Sequence, residues 1–135
     1  MNAVKTAIYN RLVADVTYLA LLGVPTSAPF QTFAERVPEE PTFPEVVIVY
    51  NGGPADQEFD ATTLVTVDEV TITAWTEDDS FETILDRIVY LMHQKPFSTG
   101  FRMILSGKTG ETFSEEFDAY GKGATFDLHY RRATI

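Results

Sequence analysis

The chain has 135 residues, no cysteine, and a formal charge of −10 from ten basic and twenty acidic side chains. That length fits one domain with a single core, and the missing thiols exclude disulfides, cysteine nucleophiles and thiolate metal sites. The acidic excess argues against a nucleic-acid binder that grips phosphates, and it serves either solubility or a surface past which DNA slides without sticking. The longest apolar run, Tyr18 to Val24, is far too short to span a bilayer, and the charged opening "MNAVKTAIYNRL" does not read as a signal peptide.

The first element is a helix. Asn2 is placed to cap it, and Val4, Ile8, Leu12, Val16 and Leu19 recur at three- and four-residue spacing as one core-facing stripe. Lys5, Arg11 and Asp15 fall mainly on the other side, and Gly23 followed by Val24-Pro25 is a stop signal. From 24 to 44 the prolines Pro25, Pro29, Pro38, Pro41 and Pro44 break any period, so an extended loop is expected. It carries Phe30, Phe33 and Phe43, which either pin the loop to its own core or anchor a neighbouring subunit.

"PEVVIVYNGG" reads as a buried strand, Glu45 to Asn51, closed by a Gly-Gly turn. The polar segment "PADQEFDATT" reads either as an edge strand or as a projecting loop. "LVTVDEVTITAWT" is a strong strand rich in β-branched residues. Its apolar parity switches at Asp68-Glu69, which suggests a β-bulge or partial burial on both faces. Trp75 ends the strand on the face opposite Ile72, and an acidic junction leads into a second helix. Asp79 or Ser80 is its expected cap, and Asp79-x-x-Glu82 has the spacing of a capping box. Phe81, Ile84, Leu85, Ile88, Leu91 and Met92 form its apolar face, and Pro96 stops it.

Three strands complete the chain. "FRMILSG" and "ETFSEEFD" flank Lys108-Thr109-Gly110, which reads as a hairpin turn, and Tyr120-Gly-Lys-Gly123 punctuates the step to "ATFDLHYRR". The last strand alternates cleanly, with Ala124, Phe126, Leu128 and Tyr130 on one face. The order of elements predicts an α+β domain spanning 1–135, a mixed and mainly antiparallel sheet with two helices packed on one face. The other face is then left for solvent or a partner.

No reaction centre is visible, so no enzyme, cofactor or metal is expected. His93 and His129 stand alone, without the spacing of a ligand set. "SGKTGE" lacks the upstream glycine of a phosphate-binding loop and joins two strands where such a loop would open a helix. Glu115 and Glu116 are neighbours in an expected strand, pointing to opposite faces, and cannot act on one bond.

The phrases "LALLGVP", "PEVVIVY", "VDEVTITAWTEDDSFETILDRIVYLM" and "FDLHYRR", in this order, resemble the small tail-completion proteins of long-tailed bacteriophages. These are also called tail terminator or tail-to-head joining proteins. The resemblance implies a virion subunit, assembled in the host cytoplasm, that closes into a hexameric ring. Such a ring caps the tail tube, ends its polymerisation, docks to the head-tail connector or stopper, and passes DNA through its lumen without specific binding. No membrane is involved. On that reading Asp56, Glu58 and Asp60 are candidate lumen-facing acids, with Glu111, Glu115 and Glu116 as a second set. Phe30, Phe33, Phe43 and Phe59 are candidate subunit or partner contacts. The competing expectations are another neck component or a tail-tube-like protein, and then a monomeric cytoplasmic binding module.

Overall fold

The computed structural model describes residues 3–24, 31–34, 42–51, 57–58, 63–78, 80–97 and 100–133. Three helices, α1 (Ala3–Val13), α2 (Val16–Leu22) and α3 (Phe81–Met92), accompany seven strands. The strands are β1 (Thr32–Phe33), β2 (Glu45–Asn51), β3 (Gln57–Glu58), β4 (Thr63–Thr76), β5 (Phe101–Lys108), β6 (Thr112–Ser114) and β7 (Ala119–Ala133). They form one sheet in the order β1-β2-β4-β7-β5, with β3 added to β4 and β6 to β7. The β1–β2 pair is parallel and the other pairs are antiparallel, so the expected α+β class with a mixed, mainly antiparallel sheet is the observed one.

The spine is the pair of long central strands. β4 and β7 stay in register from Thr63↔Ala133 to Thr76↔Tyr120 with no shift. The bulge expected at Asp68-Glu69 is therefore absent. Asp68 instead continues the helix-facing row below Val70, Ile72 and Ala74, buried, and it accepts a hydrogen bond from the Tyr50 hydroxyl. A buried carboxylate in an otherwise apolar row needs such a donor, and the strand keeps its period because β2 supplies one.

All three helices cover the same face of the sheet. Ile8 and Leu12 from α1, Tyr18, Leu19 and Leu22 from α2, and Ile84, Leu85, Ile88 and Met92 from α3 close over Val46, Ile48, Val70, Ile72, Phe126 and Leu128. The Tyr18 hydroxyl meets Thr32 Oγ1 at 2.8 Å, which ties α2 to the short β1 inside the proline-rich connection.

The N-terminal helical stripe is two helices where the sequence suggested one. Asp15 leaves the helical region at φ −94°, ψ 112°, and its Oδ2 accepts from the Tyr18 amide at 2.8 Å, so it caps α2. Val16 consequently turns out to solvent and is 66% exposed, away from the stripe it was assigned to. The same carboxylate forms a bidentate pair with Arg87 on α3, both contacts 2.8 Å. Arg11 works at the other end of α3. Its guanidinium donates to the carbonyls of Leu91, Lys95 and Pro96 and lies 3.5 Å from the Phe97 ring centroid. Two residues read as facing water thus clamp the helix layer together, one of them at the carbonyl-rich end of α3. Gly23 behaves as expected, closing α2 at φ 72° with the Val24 amide bonded to Leu19 O.

The start of α3 differs from a capping box. Ser80 is the N-cap without a side-chain bond, the Ser80 amide donates to Asp78 Oδ1 at 2.9 Å, and Glu82 reaches Lys122 and Lys108 on the neighbouring strands. Asp79 lies outside the described residues. The C-terminal hairpin is also displaced. β5 and β6 do not pair with each other; both run along β7 as one interrupted edge, bent at the Leu105/Gly107 shift and pinned where Thr109 exchanges bonds with Gly123. The true reversal is the 115–118 turn, with Asp118 at φ 52°. Glu115 and Glu116 therefore sit in a turn, and Gly121 and Gly123 lie within β7.

Replacing Asp15 with Ala removes a cap and leaves Arg87 unpaired. Urea unfolding is expected to show a loss of about 1–3 kcal/mol. Because Arg87 holds this carboxyl below its ordinary value of 3.8, the contribution is present at neutral pH and fades as pH falls through the acid range. The variant's stability should accordingly decline less in acid than that of the wild type.

Candidate functional site

The helices leave the second face of the sheet uncovered among the described residues. Strand alternation assigns Glu45, Val47 and Val49 of β2, Glu69, Thr71, Thr73 and Trp75 of β4, and Gly121, Gly123, Thr125 and Asp127 of β7 to this face. Its middle is a threonine patch, where Thr71 and Thr125 oppose each other with their hydroxyls 3.3 Å apart. Trp75 lies flat over Gly121. A β-carbon built there would stand 2.6 Å from the indole ring, so only glycine admits the tryptophan at this cross-strand position. Gly123 makes the same allowance for Thr71 and Thr73, with neighbours at 3.1 and 3.0 Å from the corresponding point. The two glycines read as punctuation are clearances.

At the Trp75 end the open face deepens into a groove of about 390 Å³. Val47 and Trp75 line its floor, and Phe43 and Phe117 stand at its sides, their ring centroids 6.5 Å apart. These two rings come from segments far apart in the chain, the end of the proline-rich connection and the 115–118 turn. Glu45 lies in the wall, 4% exposed, and its Oε2 has no hydrogen-bond partner. Burial with nothing to compensate it pushes the carboxyl up to about 6. Val49 and Phe117 remain 43% and 40% exposed at the rim. An apolar trough whose wall holds a carboxylate oxygen unpartnered among the described residues is chemically complementary to apolar area joined to a hydrogen-bond donor.

The candidate residues fall in different places. Phe43 is in the groove, and Phe33 is half-buried on β1, one strand further out. Phe30 and Phe59 lie outside the described residues, as do Asp56 and Asp60. Glu58 is on the edge strand β3, paired with Leu64, whereas Glu115 and Glu116 are exposed in the turn beside Ala119. Glu111 is exposed just before β6. Glu58 thus stands at the opposite end of the β4–β7 ladder from Glu111, Glu115 and Glu116, separated from them by roughly 40 Å of strand. The groove itself escaped sequence reasoning. The odd parity of Val47, Val49 and Trp75 was its one local signal, and the closing rings carry none.

Other side chains show no convergence on chemistry. His93 Nδ1 accepts from the Leu105 amide at 2.9 Å, which spends the imidazole on joining α3 to β5. Among the described residues no three His, Asp or Glu side chains gather as a metal site, and no helix is long and apolar enough to cross a membrane.

No family model and no curated protein matches this sequence. A solved structure does. One chain of a structure described as "Virion of native gene transfer agent (GTA) particle" matches with a TM-score of 0.73, over 95% of this chain and 94% of that one, at 17% identity. The two chains share a fold. The agreement extends over nearly the full length of both.

The groove carboxylate supplies a measurable signature. Glu45 is raised in the folded state above its ordinary 4.5, so folding favours its protonated form. Stability from this group is complete below pH 4.5 and falls as pH rises through about 6, by about 1–2 kcal/mol. Glu45→Gln is expected to flatten that step in pH-dependent denaturation and to raise stability at pH 7. A profile identical to wild type would show Glu45 to be solvated.

Proposed function

We propose that the protein is a structural component of a phage-type virion, specifically the tail-terminator subunit. It closes into a ring of six copies, the number the family resemblance implies, on the end of a tail tube. The observation that carries this reading is the shared fold with a virion chain over almost the whole length of both molecules. The open sheet face and its apolar groove support it, since a lone subunit leaves that surface wet and an assembled one has something to cover it with.

In this role the ring stops tube growth, presents a docking surface to the head-tail connector, and lets genome DNA pass. Six copies carry about −60 in total, six times the −10 of one chain, and a negative conduit repels the duplex phosphates. Asp56, Glu58 and Asp60 are the proposed channel acids, with Glu111, Glu115 and Glu116 as the second choice. Phe30, Phe33, Phe43 and Phe59 are proposed for subunit and partner contacts, and Phe43 has the added support of its place in the groove.

Two experiments test the role. Purified tails imaged with and without this chain should differ by a ring at the tube end, and tubes lacking it should overgrow. Changing Asp56, Glu58 and Asp60 together to Lys should leave folding and tail assembly intact yet impair genome delivery, and the same reversal at Glu111, Glu115 and Glu116 tests the second set. Normal infectivity with the first set reversed would remove those residues from the channel.

A further inference from the structure

Five large apolar side chains are prominently exposed among the described residues: Val16, Val49, Tyr90, Phe113 and Phe117. Phe113 leans on Tyr120, with ring centroids 4.9 Å apart. The other four separate into two patches. Val49 and Phe117 rim the groove on the open face of the sheet. Val16 and Tyr90 lie on the helix layer, joined through the Asp15–Arg87 pair, since Val16 follows Asp15 and Tyr90 follows Arg87 by one turn.

The helix patch has a charge opposite to that of the groove. Tyr90 is 59% exposed, with Lys95 Nζ 3.4 Å and Arg87 Cζ 4.7 Å from its ring centroid. An aromatic ring flanked by two cations projects from a chain whose net charge is −10. Across the sheet, the groove has an apolar floor and a carboxylate oxygen without a hydrogen-bond partner among the described residues.

We propose that the groove of one copy receives the Tyr90 surface of a second copy, with Lys95 brought towards Glu45. The inference rests on the ring-forming reading above and deepens it by naming the two surfaces. Ring body fits apolar trough, and cation meets carboxylate. Local attraction of this kind also answers the repulsion between copies that are each strongly acidic. The surfaces lie on opposite sides of the subunit, so the contact is head-to-tail. Such a contact propagates from copy to copy and closes into a ring when the rotation permits, instead of ending at a two-fold dimer. Tyrosine is a common centre of binding energy in such contacts.

The test uses two full-length variants. Val49→Glu with Phe117→Ser spoils the groove, and Tyr90→Ala with Lys95→Glu spoils the knob. Circular dichroism and thermal unfolding confirm that each folds. Size-exclusion chromatography with light scattering, in free solution and on isolated tail tubes, then reads assembly. Each variant alone should associate at least about tenfold more weakly than wild type. Mixed one to one, they should form a heterodimer and nothing larger, because only one intact groove and one intact knob remain. Glu45→Lys should weaken assembly, and adding Lys95→Glu to it should restore association. Wild-type rings with either surface variant still assembling would overturn the pairing while leaving the ring reading in place. A wild-type chain that remains a monomer in solution and on tubes would overturn both.

Discussion

The β4–β7 ladder is the constraint on which the rest of the molecule depends. It runs unbroken from Thr63↔Ala133 to Thr76↔Tyr120, so every position along it has a fixed side. A single residue of slip would exchange the faces, burying Thr71 and Thr73 under the helices and exposing Ile72 and Phe126. β2 extends the ladder on one side and β5 with β6 on the other. The helices then have one apolar surface to cover, and among the described residues all three lie on that side and leave the opposite face uncovered. The two-sidedness of the molecule is therefore a result of strand register, and Arg11 and Arg87 tie the helix layer together.

Much of this was legible in the sequence because strong periodicity decided it. The stripe from Phe81 to Met92, the β-branched run of β4, and the alternation of β7 each repeat often enough for burial to follow from spacing. Trp75 was correctly set on the face opposite Ile72 by parity alone. The misreadings share a different cause: short polar residues with two plausible jobs. Asp15 sits where a helical stripe continues, yet its side chain caps Tyr18 and grips Arg87, and that bond to α3 is invisible locally. Asp68 broke the pattern on paper and keeps it in space, because Tyr50 provides a donor. Gly121 and Gly123 have the composition of a turn, and they are glycine because side chains from β4 lie across them.

The groove was not legible for a further reason. Its walls join Phe43 to Phe117, and nothing in either local segment announces the other. Tertiary apposition of that sort is not written in local sequence, which is why Phe43 was singled out as a candidate contact while its neighbour Phe117 was not. The fold comparison has the same character. At 17% identity the agreement lies in the arrangement of elements, the level at which the open face is specified.

The chain holds a single tryptophan, and it is the one spread across Gly121 beneath the groove. No second indole contributes to emission from this molecule. Its fluorescence is thus an intrinsic optical gauge of that one surface: anything that settles over the trough dries the indole's surroundings and shifts its colour, while events on the helix side leave it silent. The subunit carries its own docking reporter, without a label.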